Sequence, residues 1–231
     1  MPEQTVIITG AGGGIARHVA RCFEDAGWRL GLVALDEAER QRVAEAHPGA
    51  AVAVGDLADP LAAHATLDAL AGDLGPPRAL LNIAGGFGMA DATTTTPADL
   101  EAQLSINLRT AFNASRAVLP VMLERGSGFI LGVGAAAAID GGASVGAYAA
   151  SKAALVAWLK SLRAEVAPRG IDVSIIYPMA AVDTPGNRAA MPDADPGAWI
   201  DPQELAATML HLATRSRRGR IDEVRVYAPA G

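Results

Sequence analysis

The segment TVIITGAGGGIA, residues 5–16, decides the class of fold. Its first residues are β-branched and form a short strand pattern, and the residues from Ile15 onward have the periodicity of a helix that ends at Gly27. Gly10 permits a tight turn after the strand, and Gly14 lets the backbone approach the phosphates of a ligand. The free N–H groups and the positive dipole end of the helix favour an anion at the same place. A strand, a glycine loop and a helix in this order therefore predict a site for a phosphate-bearing ligand.

The same alternation of strand and helix continues along the chain. Six more apolar runs are predicted strands, at residues 29–35, 50–57, 79–85, 128–134, 172–178 and 223–229. Helical patterns are predicted over residues 37–46, 60–72, 97–124, 148–166 and 202–213. The helix over 97–124 is expected to be interrupted or to end near Pro120, and Thr96 before Pro97 is a candidate cap at its start.

The arrangement of these elements predicts the fold. Repeated β-α-β units with apolar strands indicate a parallel sheet with helices on both faces. Right-handed connections make such a sheet doubly wound, with ligands bound at the carboxyl ends of its strands. The expected fold class is α/β: a single Rossmann domain over residues 1–231, with a mostly parallel seven-stranded sheet. Residues 179–201, rich in Pro, Asp and Ala, are expected to form a substrate loop or lid.

The composition and the charge narrow the classes of partner. The chain has 231 residues, of which 51% are hydrophobic, enough for one domain with a full core. Lys and Arg number 19 against 25 Asp and Glu, and the net charge of −6 argues against a nucleic-acid partner. The basic cluster RSRRGR at 215–220 is interpreted as a solvated turn.

The sequence also indicates where the protein works. It has no apolar run as long as a membrane span and no secretory signal pattern at its N-terminus, so no membrane partner is expected. The one cysteine, Cys22, cannot form an internal disulfide, which is consistent with a reducing compartment. A cytoplasmic location is therefore expected. The four histidines show no metal-ligand spacing, and no metal site is predicted.

Tyr148 and Lys152 are the residues that most clearly indicate chemistry. They are four residues apart on the predicted helix that follows the fifth strand, so they share one helix face. An ammonium group beside a phenol stabilises the phenolate and lowers the tyrosine pKa from its ordinary value of about 10. The pair therefore predicts a group that donates or accepts a proton near neutral pH.

Over essentially its whole length the chain resembles the short-chain dehydrogenase/reductase family. The matching segments, in the family's order, are TGAGGGIA (9–16), GDL (55–57), LLNIAGG (80–86), INL (106–108) and YAASKAAL (148–155). The resemblance implies hydride transfer from a nicotinamide nucleotide held against the sheet, with Tyr148 as acid or base. It implies that Lys152 binds the nicotinamide ribose and tunes Tyr148, and that Asn107 holds a water in a proton relay.

The cofactor-binding residues follow from the glycine loop, the strand ends and the resemblance. Asp56 can accept a hydrogen bond from an adenine amino group or, alternatively, cap a turn. Asp36 is the acid nearest the end of the second strand, where a carboxylate favours a free ribose 2′-hydroxyl, and that strand end has no Arg or Lys for a 2′-phosphate. The expected cofactor is NAD(H) or NADP(H), with NAD(H) favoured. The predicted set is Gly10, Gly14, Ile15, Asp36, Asp56, Leu57, Asn82, Ala84, Gly85, Lys152, Pro178 and Thr184.

One expected catalytic residue is missing. The family's usual serine stands thirteen residues before the tyrosine, where this chain has Ala135. Ser144, on the loop before Tyr148, is the alternative hydroxyl. Loss of one preorganised donor to a developing oxyanion typically costs about 10²–10³ in rate, which a strongly electrophilic substrate tolerates. The sequence therefore predicts a variant active site rather than an inactive one.

A narrower resemblance is to the dihydropteridine reductase branch of the family. It rests on residues 134–155, GAAAAIDGGASVGAYAASKAAL, and on residues 178–199, PMAAVDTPGNRAAMPDADPGAW. That branch also has alanine at the serine position, and its quinonoid dihydropterin substrate needs little polarisation. Phe87 stands where that branch has an aromatic residue beside the pterin, whereas Asn107 is a residue of the wider family.

The segment after the sixth strand begins where the family closes a loop over the nicotinamide. Thr184 resembles the family's carboxamide-binding threonine. Met179, Met191 and Trp199 either form an apolar lid or pack toward the core.

Arg188 in the same segment either meets a polar or acidic substrate or pairs with Asp193 or Asp195. The tentative substrate-side residues are Phe87, Ala135, Ser144, Met179 and Arg188.

Three functional hypotheses remain open from the sequence. The first is an NAD(P)(H)-dependent short-chain oxidoreductase that moves hydride to or from a small activated C=O or C=N substrate, with Tyr148 as acid or base. The second is a quinonoid dihydropteridine reductase, and the third is a nucleotide-binding sensor or scaffold that has lost catalysis. By resemblance, the protein is expected to be a homodimer or homotetramer that pairs the helices at 97–124 and 148–166.

Overall fold

One parallel β-sheet forms the centre of the structure, a computed structural model that describes residues 4–216 and 218–230. Within these residues the strands are β1 (Thr5–Thr9), β2 (Arg29–Ala34), β3 (Ala51–Val54), β4 (Ala79–Asn82), β5 (Gly128–Val133), β6 (Ile171–Pro178) and β7 (Glu223–Val226). The sheet has seven strands in the order β3-β2-β1-β4-β5-β6-β7, and every neighbouring pair is parallel. The predicted doubly wound α/β fold is confirmed.

Helices cover both faces of this sheet. They are α1 (Ala16–Asp25), α2 (Glu37–Ala46), α3 (Pro60–Leu74), α4 (Pro97–Leu104), α5 (Thr110–Arg125), α6 (Ala137–Asp140), α7 (Gly146–Val166), α8 (Pro185–Ala190) and α9 (Pro202–Thr214). Successive strand side chains point to opposite faces. Val6 and Ile8 of β1 accordingly pack in the core that includes α1 and α9, while Ile7 packs in the core that includes α3, α5 and α7.

The helical region predicted over 97–124 differs from expectation in where it breaks. Thr96 caps its start as predicted: its hydroxyl accepts the N–H of Asp99, whose carboxylate accepts the N–H of Thr96. The expected break near Pro120 is wrong, because α5 continues to Arg125. Pro120 lies on the exposed face of α5, where the carbonyl that loses its donor can be hydrated. The α-helical geometry is interrupted earlier, by a π-helical turn at Ser105–Arg109.

The segment predicted as a loop or lid, residues 179–201, is partly regular. It contains α8 and a 3₁₀ turn at Pro196–Ala198, and its role as a substrate loop or lid stays a prediction. A bridge between Val182 and Ile200 joins the two ends of the segment. The two ends of the segment therefore lie side by side just beyond the end of β6.

Several predictions concern features away from residues 179–201. Among the described residues, no helix is long and apolar enough to cross a membrane, and no three metal-ligating side chains cluster. Of the basic cluster at 215–220, residue 217 lies outside the described residues, as do residues 1–3 and 231 of the predicted domain. Arg220 of the same cluster pairs with Asp222 at 2.6 Å.

Candidate active site

The end of β1 is joined to the segment after β4. The hydroxyl of Thr9 accepts hydrogen bonds from the N–H groups of Ile83 and Ala84, at 3.1 and 3.0 Å. Gly10 has φ +66°, and a Cβ added to it would lie 2.7 Å from the Cα of Ala84. The two backbones can approach this closely only because residue 10 has no side chain. Thr9 is a positioning residue that the sequence reasoning missed, although it directly precedes the glycine loop.

Asn82, the last residue of β4, is buried. Its Nδ2 donates to the hydroxyl of Ser115 on α5 at 3.1 Å, and its Oδ1 has no hydrogen-bond partner. With 2% of its surface exposed, Asn82 fixes the end of β4 against α5 rather than offering a surface to a ligand. Its place at the cofactor site stays a prediction.

Lys152 is almost fully buried beside the end of β5. Its Nζ donates to the carbonyl of Val133 at 2.9 Å, and only 6% of the residue is exposed. Burial disfavours the ammonium, which lowers the pKa of Lys152 to about 8. A Cβ on Gly85 would lie 3.2 Å from the same Nζ, so the exposed backbone at Gly85 lies directly over the lysine.

Tyr148 lies in the first turn of α7, half-buried, with its ring edge-to-face against Phe87 at 5.0 Å between centroids. Burial raises the pKa of Tyr148, because a phenolate is poorly solvated there. The lowered pKa expected from the neighbouring ammonium is thus wrong for the protein alone. Burial alone raises the pKa of Tyr148, and burial also disfavours the ammonium of Lys152.

Asn107 is held inside the π-helical turn and is fully buried. Its Oδ1 accepts the N–H of Gly86 at 3.0 Å, and its Nδ2 donates to the carbonyl of Gly86 at 2.9 Å. The Nδ2 also contacts Gln103 Oε1 at 3.0 Å and the hydroxyl of Ser151 at 3.1 Å, and that hydroxyl donates to the carbonyl of Tyr148. The side chain therefore connects the segment after β4 to the turn that carries Tyr148. Its hydrogen-bonding groups are taken by protein partners, and the water relay stays a prediction.

The start of α1 is open to an anion. Its N-cap position, Ile15, makes no side-chain hydrogen bond to the helix, whereas α2, α3 and α9 are capped by Asp36, Asp59 and Asp201. The N–H groups of the first turn of α1 are thus left without a side-chain acceptor, at the positive end of the helix dipole.

Thr184 lies against this helix start. A Cβ on Gly14 would be 2.7 Å from the Cβ of Thr184, and the Thr184 hydroxyl accepts the N–H of Asn187 to cap α8. The structure thus places the start of α8 beside the glycine loop, and the role of Thr184 in binding a carboxamide stays a prediction.

The two predicted acids near the adenosine end are both helix or turn caps. Asp36 accepts the N–H of Glu39 at 2.7 Å, and Asp56 accepts the N–H of Ala58 at 2.9 Å. Asp56 is exposed, whereas the next residue, Leu57, is buried and its carbonyl accepts from Asn113 at 2.9 Å. The capping alternative is observed for Asp56, which leaves its second carboxylate oxygen toward solvent.

Glu39, which the sequence reasoning missed, has its carboxylate on the glycine loop. One oxygen accepts the N–H of Gly12 at 2.6 Å, and the other accepts the N–H of Leu35 at 2.8 Å. The sequence signal was available, since Asp36 followed three residues later by Glu39 is a helix-start pattern. The pattern predicts a carboxylate folded back over the helix start, although not its reach to Gly12.

Comparison with known proteins agrees with this arrangement. A family model described as short chain dehydrogenase matches residues 4–195. The chain belongs to the short-chain dehydrogenase/reductase family. The predicted family is therefore confirmed, and the protein is an NAD(P)-dependent oxidoreductase whose substrate is unknown.

Three similar proteins illustrate the range of this family. Levodione reductase from Leifsonia aquatica is 30% identical over 229 residues, 96% of this chain and 84% of that protein. D-threitol dehydrogenase from Mycolicibacterium smegmatis is 31% identical over 226 residues, 91% of this chain and 86% of that protein. The crystal structure of a gluconate 5-dehydrogenase from Burkholderia cenocepacia J2315, in complex with NADP and tartrate, has a TM-score of 0.87 and 26% identity, and the match covers 98% of this chain and 94% of that chain.

In this short-chain dehydrogenase/reductase, the position predicted from the resemblance for the family's serine, thirteen residues before Tyr148, holds Ala135. Ala135 is buried after β5, and Ala136 beside it donates its N–H to the carbonyl of Pro178 at 3.2 Å. Ser144 has φ +58°, and its hydroxyl donates to Asp91 Oδ1 at 2.7 Å. The left-handed backbone turns this hydroxyl to Asp91, so the structure does not place Ser144 as a substitute for the missing serine.

In this dehydrogenase/reductase, Arg188 has its ion-pair partner within the same segment, residues 179–201. Arg188 forms a bidentate ion pair with Asp183 at 2.6 and 2.7 Å, so the predicted pairing with Asp193 or Asp195 is wrong. Asp183 immediately precedes the cap of α8, within reach of an arginine on that helix.

The apolar residues of the lid divide between core and surface. Trp199 is 9% exposed and packs inward, Met179 is half-buried against the core, and Met191 is 38% exposed. The core-packing alternative is thus observed for Trp199, whereas Met191 lies on the surface of the segment.

Two cavities lie near the lid and the loops. One, of about 930 Å³, lies between α1, the lid and residues 226–229 and includes neither Tyr148 nor Lys152. The other, of about 100 Å³, is lined by Met89, Ser144 and Val145 on the substrate side. Tyr148 and Lys152 line neither of these two cavities, although the smaller one adjoins the start of α7.

Proposed function

We propose that this protein moves hydride between a nicotinamide nucleotide and a small substrate whose C=O or C=N group is already activated, with Tyr148 as the acid or base. The observation that most directly supports this proposal is the position of Gly85 beside Asn107 and Lys152. An added Cβ there would meet both the Oδ1 of Asn107, at 2.8 Å, and the Nζ of Lys152, at 3.2 Å. A flat ligand group lying on this backbone would therefore be close to the buried lysine.

The residues present fit a dinucleotide. The uncapped start of α1 offers N–H groups for a pyrophosphate, and the backbone at Gly13 and Gly85 is exposed near the strand ends. Thr184 and Ile15 would border the middle of the bound molecule, and the lysine ammonium of Lys152 would donate to ribose hydroxyls. The nicotinamide, when bound, supplies or accepts the hydride.

Tyr148 is suited to hold the proton that the reaction needs. Its raised pKa keeps the phenol protonated at neutral pH, so it can donate to the oxygen or nitrogen that becomes basic when the substrate is reduced. The buried ammonium of Lys152 stabilises the phenolate that remains after donation. Phe87 contacts the phenol ring edge-to-face and limits its orientations.

Ala135 supports an activated substrate. Without a hydroxyl there, a ketone oxygen lacks one donor for its developing charge, at a cost of about 10²–10³ in rate. A conjugated oxidant that needs little polarisation avoids this cost. Phe87, whose ring is 63% exposed beside Tyr148, offers an aromatic face to a planar substrate of this kind.

The second candidate, quinonoid dihydropteridine reductase, rests on the same two residues. Ala135 and Phe87 favour a planar heteroaromatic oxidant, whereas Asn107, which belongs to the wider family, does not favour the pterin in particular.

The deciding experiment measures oxidation of NADH and of NADPH with quinonoid dihydropterin and with a panel of ketones and aldehydes. We expect turnover of the conjugated substrate, and Tyr148→Phe should lower it by about 10²–10⁴ while nucleotide binding is retained. Full turnover by Tyr148→Phe on a substrate that must be protonated would contradict the role of the phenol. Tight nucleotide binding with no turnover on any substrate would instead favour the sensor hypothesis.

We also propose a homodimer or homotetramer that pairs α4, α5 and α7. Phe112 on α5 is 37% exposed and packs edge-to-face on Trp158 of α7, with the Arg116 guanidinium over its outer face at 5.6 Å. An apolar pair on the outside of two long helices supports contact with a second copy. Sedimentation of Trp158→Glu should show smaller particles than the native protein, and an unchanged size would contradict this interface.

A further inference from the structure

We propose that the hydrogen bond between Asp91 and Ser144 is a clasp that fixes one wall of the substrate site and limits the substrate to a flat group with a small substituent. This inference rests on the proposed function, since it names a substrate class for the same site. The wall is the arm, residues 85–91, which follows β4 and carries Phe87. Ser144 lies on the loop before α7, four residues before Tyr148.

The inner half of the arm lies on one face of the helical region that begins with α4. A Cβ on Gly86 would lie 3.0 Å from Ile106 Cδ1 in the π-helical turn, and a Cβ on Gly88 would lie 2.8 Å from Gln103 Nε2 in α4. Because Gln103 and Ile106 are three residues apart, they share a helix face. The glycines on both sides of Phe87 therefore let the backbone of the arm lie directly on this face.

The outer end of the arm is fixed at Asp91. Its carbonyl accepts the N–H groups of Thr94 and Thr95, at 2.9 and 2.8 Å, and the Thr95 hydroxyl at 2.9 Å. Its carboxylate accepts the hydroxyl of Ser144 at 2.7 Å, and the carbonyl of Ser144 accepts the N–H of Ala90 at 2.9 Å. Two hydrogen bonds thus join the arm to the loop before α7.

The backbone of Ser144 has an unusual conformation. Among the described residues, Ser144 is the one non-glycine residue with a positive φ, +58°. Such a conformation is uncommon for a residue with a side chain, and it persists where the surrounding contacts hold it. Both contacts that hold it here, through the hydroxyl and through the carbonyl, are made to the arm. The strained residue therefore belongs to the clasp.

The clasp holds apolar surface at the substrate site. Phe87 and Met89 on the arm are 63% and 66% exposed, and large apolar side chains exposed on one fixed segment are typical of ligand contact. The arm and the loop that holds Ser144 line a cavity of only about 100 Å³. Sites that enclose a drug-sized ligand begin at about 300 Å³. A flat group can therefore lie on Phe87, but only a small substituent fits between the arm and the loop.

The test compares the reduction of two activated diketones, phenylpropanedione and benzil, which differ in one substituent, a methyl against a phenyl group. The native protein should prefer phenylpropanedione in kcat/KM by about tenfold or more. Asp91→Ala should reduce this preference to about threefold or less by lowering the KM for benzil, because the arm can then move away from the loop. The kcat for phenylpropanedione should change by less than about threefold, because the clasp touches no reacting atom.

Asp91→Asn is the matched control, because its amide oxygen can still accept the hydroxyl of Ser144. It should retain the preference of the native protein. Hydrogen exchange at the N–H of Ala90, which bonds to the Ser144 carbonyl, gives a second readout that needs no substrate. This exchange should be faster by about tenfold in Asp91→Ala and unchanged in Asp91→Asn.

The outcomes separate the clasp from the proposed function. An unchanged preference in Asp91→Ala, or an equal loss of preference in Asp91→Asn, would overturn the clasp and leave the proposed function standing. Equal kcat/KM for both diketones in the native protein would overturn the limit on the substituent. Reduction of neither diketone by the native protein would overturn the proposed reduction of activated carbonyl groups, and unchanged exchange at Ala90 in Asp91→Ala would overturn the clasp in that case too.

Discussion

Lys152 is a buried cation whose protonation differs between the folded and the unfolded chain. Its pKa is about 8 in the folded protein against an ordinary value of 10.5. Between these two values the unfolded chain binds more protons, so the free energy of unfolding rises with pH in that interval. Below about pH 8 both states are protonated, and the folded protein then carries the full cost of the buried charge.

The expected consequence is a pH-dependent difference between the native protein and Lys152→Met. As the pH rises from about 8 to about 10.5, the native protein should gain stability relative to the variant, by up to about 3 kcal/mol. Urea unfolding of both proteins across this interval measures the difference, because other titrating groups affect both equally. A constant difference would show that Lys152 is not charged and buried in the folded state.

Substitutions at Ser144 and at Ala135 are expected to have different effects on turnover. Ser144→Ala should change turnover by less than about threefold, because its hydroxyl donates to Asp91 and not to the substrate side. Ala135→Ser should raise turnover of simple ketones by about 10- to 100-fold, because it restores a donor at the family's serine position. Steady-state kinetics with a ketone and with a conjugated substrate separates the two, and a large loss in Ser144→Ala would return that hydroxyl to the active site.

Contacts between residues close in the sequence were predictable, whereas contacts between residues distant in the sequence were not. Tyr148 and Lys152 share a helix face, and their spacing alone indicates a pair. The direction of the tyrosine pKa was not predictable, because it depends on how much of the phenol the loop around Phe87 covers. Glu39 was missed for a similar reason, since its partner Gly12 lies 27 positions away in the chain.

At the scale of single elements, the side chain of Asn107 in the π-helical turn is expected to contribute measurably to the free energy of unfolding. Asn107→Ala should cost about 2–3 kcal/mol of stability, because it removes two hydrogen bonds to the half-buried backbone of Gly86 and one to the buried hydroxyl of Ser151. The backbone N–H of Gly86 should exchange with solvent faster, since its acceptor is lost.

Hydrogen exchange of the two proteins measures this effect directly. Asn113→Ala is the matched control, because Asn113 also lies in the helical region after β4 but bonds to the carbonyls of Leu57 and Ala58. It should leave Gly86 protected. Equal acceleration at Gly86 in both variants would mean that the helix, and not the amide of Asn107, protects this backbone.

The bounds of helices were predictable where a residue type marks them. Thr96, Pro97 and Asp99 form a start signal that the structure reproduces. The break inside the following helix has no such signal, because a π-turn arises from how the helix packs and not from a residue with a special backbone preference. The prediction placed the break at Pro120, because proline usually interrupts a helix, but Pro120 is exposed and is tolerated within α5.

For the molecule as a whole, periodicity was sufficient to predict the fold. Seven apolar runs with helices between them leave few alternatives once crossovers are right-handed, and β1 lies centrally between β2 and β4 as a doubly wound sheet requires. The lid was the least predictable part, since its composition is that of a loop. Its helix α8 is short and depends on the cap at Thr184 and on the ion pair between Arg188 and Asp183.

The single bridge between Val182 and Ile200 also bears on how such a protein diversifies. Because the segment leaves and rejoins the body at adjacent points, residues 183–199 form a cassette. A replacement of different length or composition can be inserted without changing the spacing of β6 and α9. Tyr148, Lys152 and the glycine loop lie outside this cassette, whereas Thr184, which packs on Gly14, lies within it. An exchange of the cassette that keeps Thr184 would therefore leave the residues proposed for hydride transfer in place.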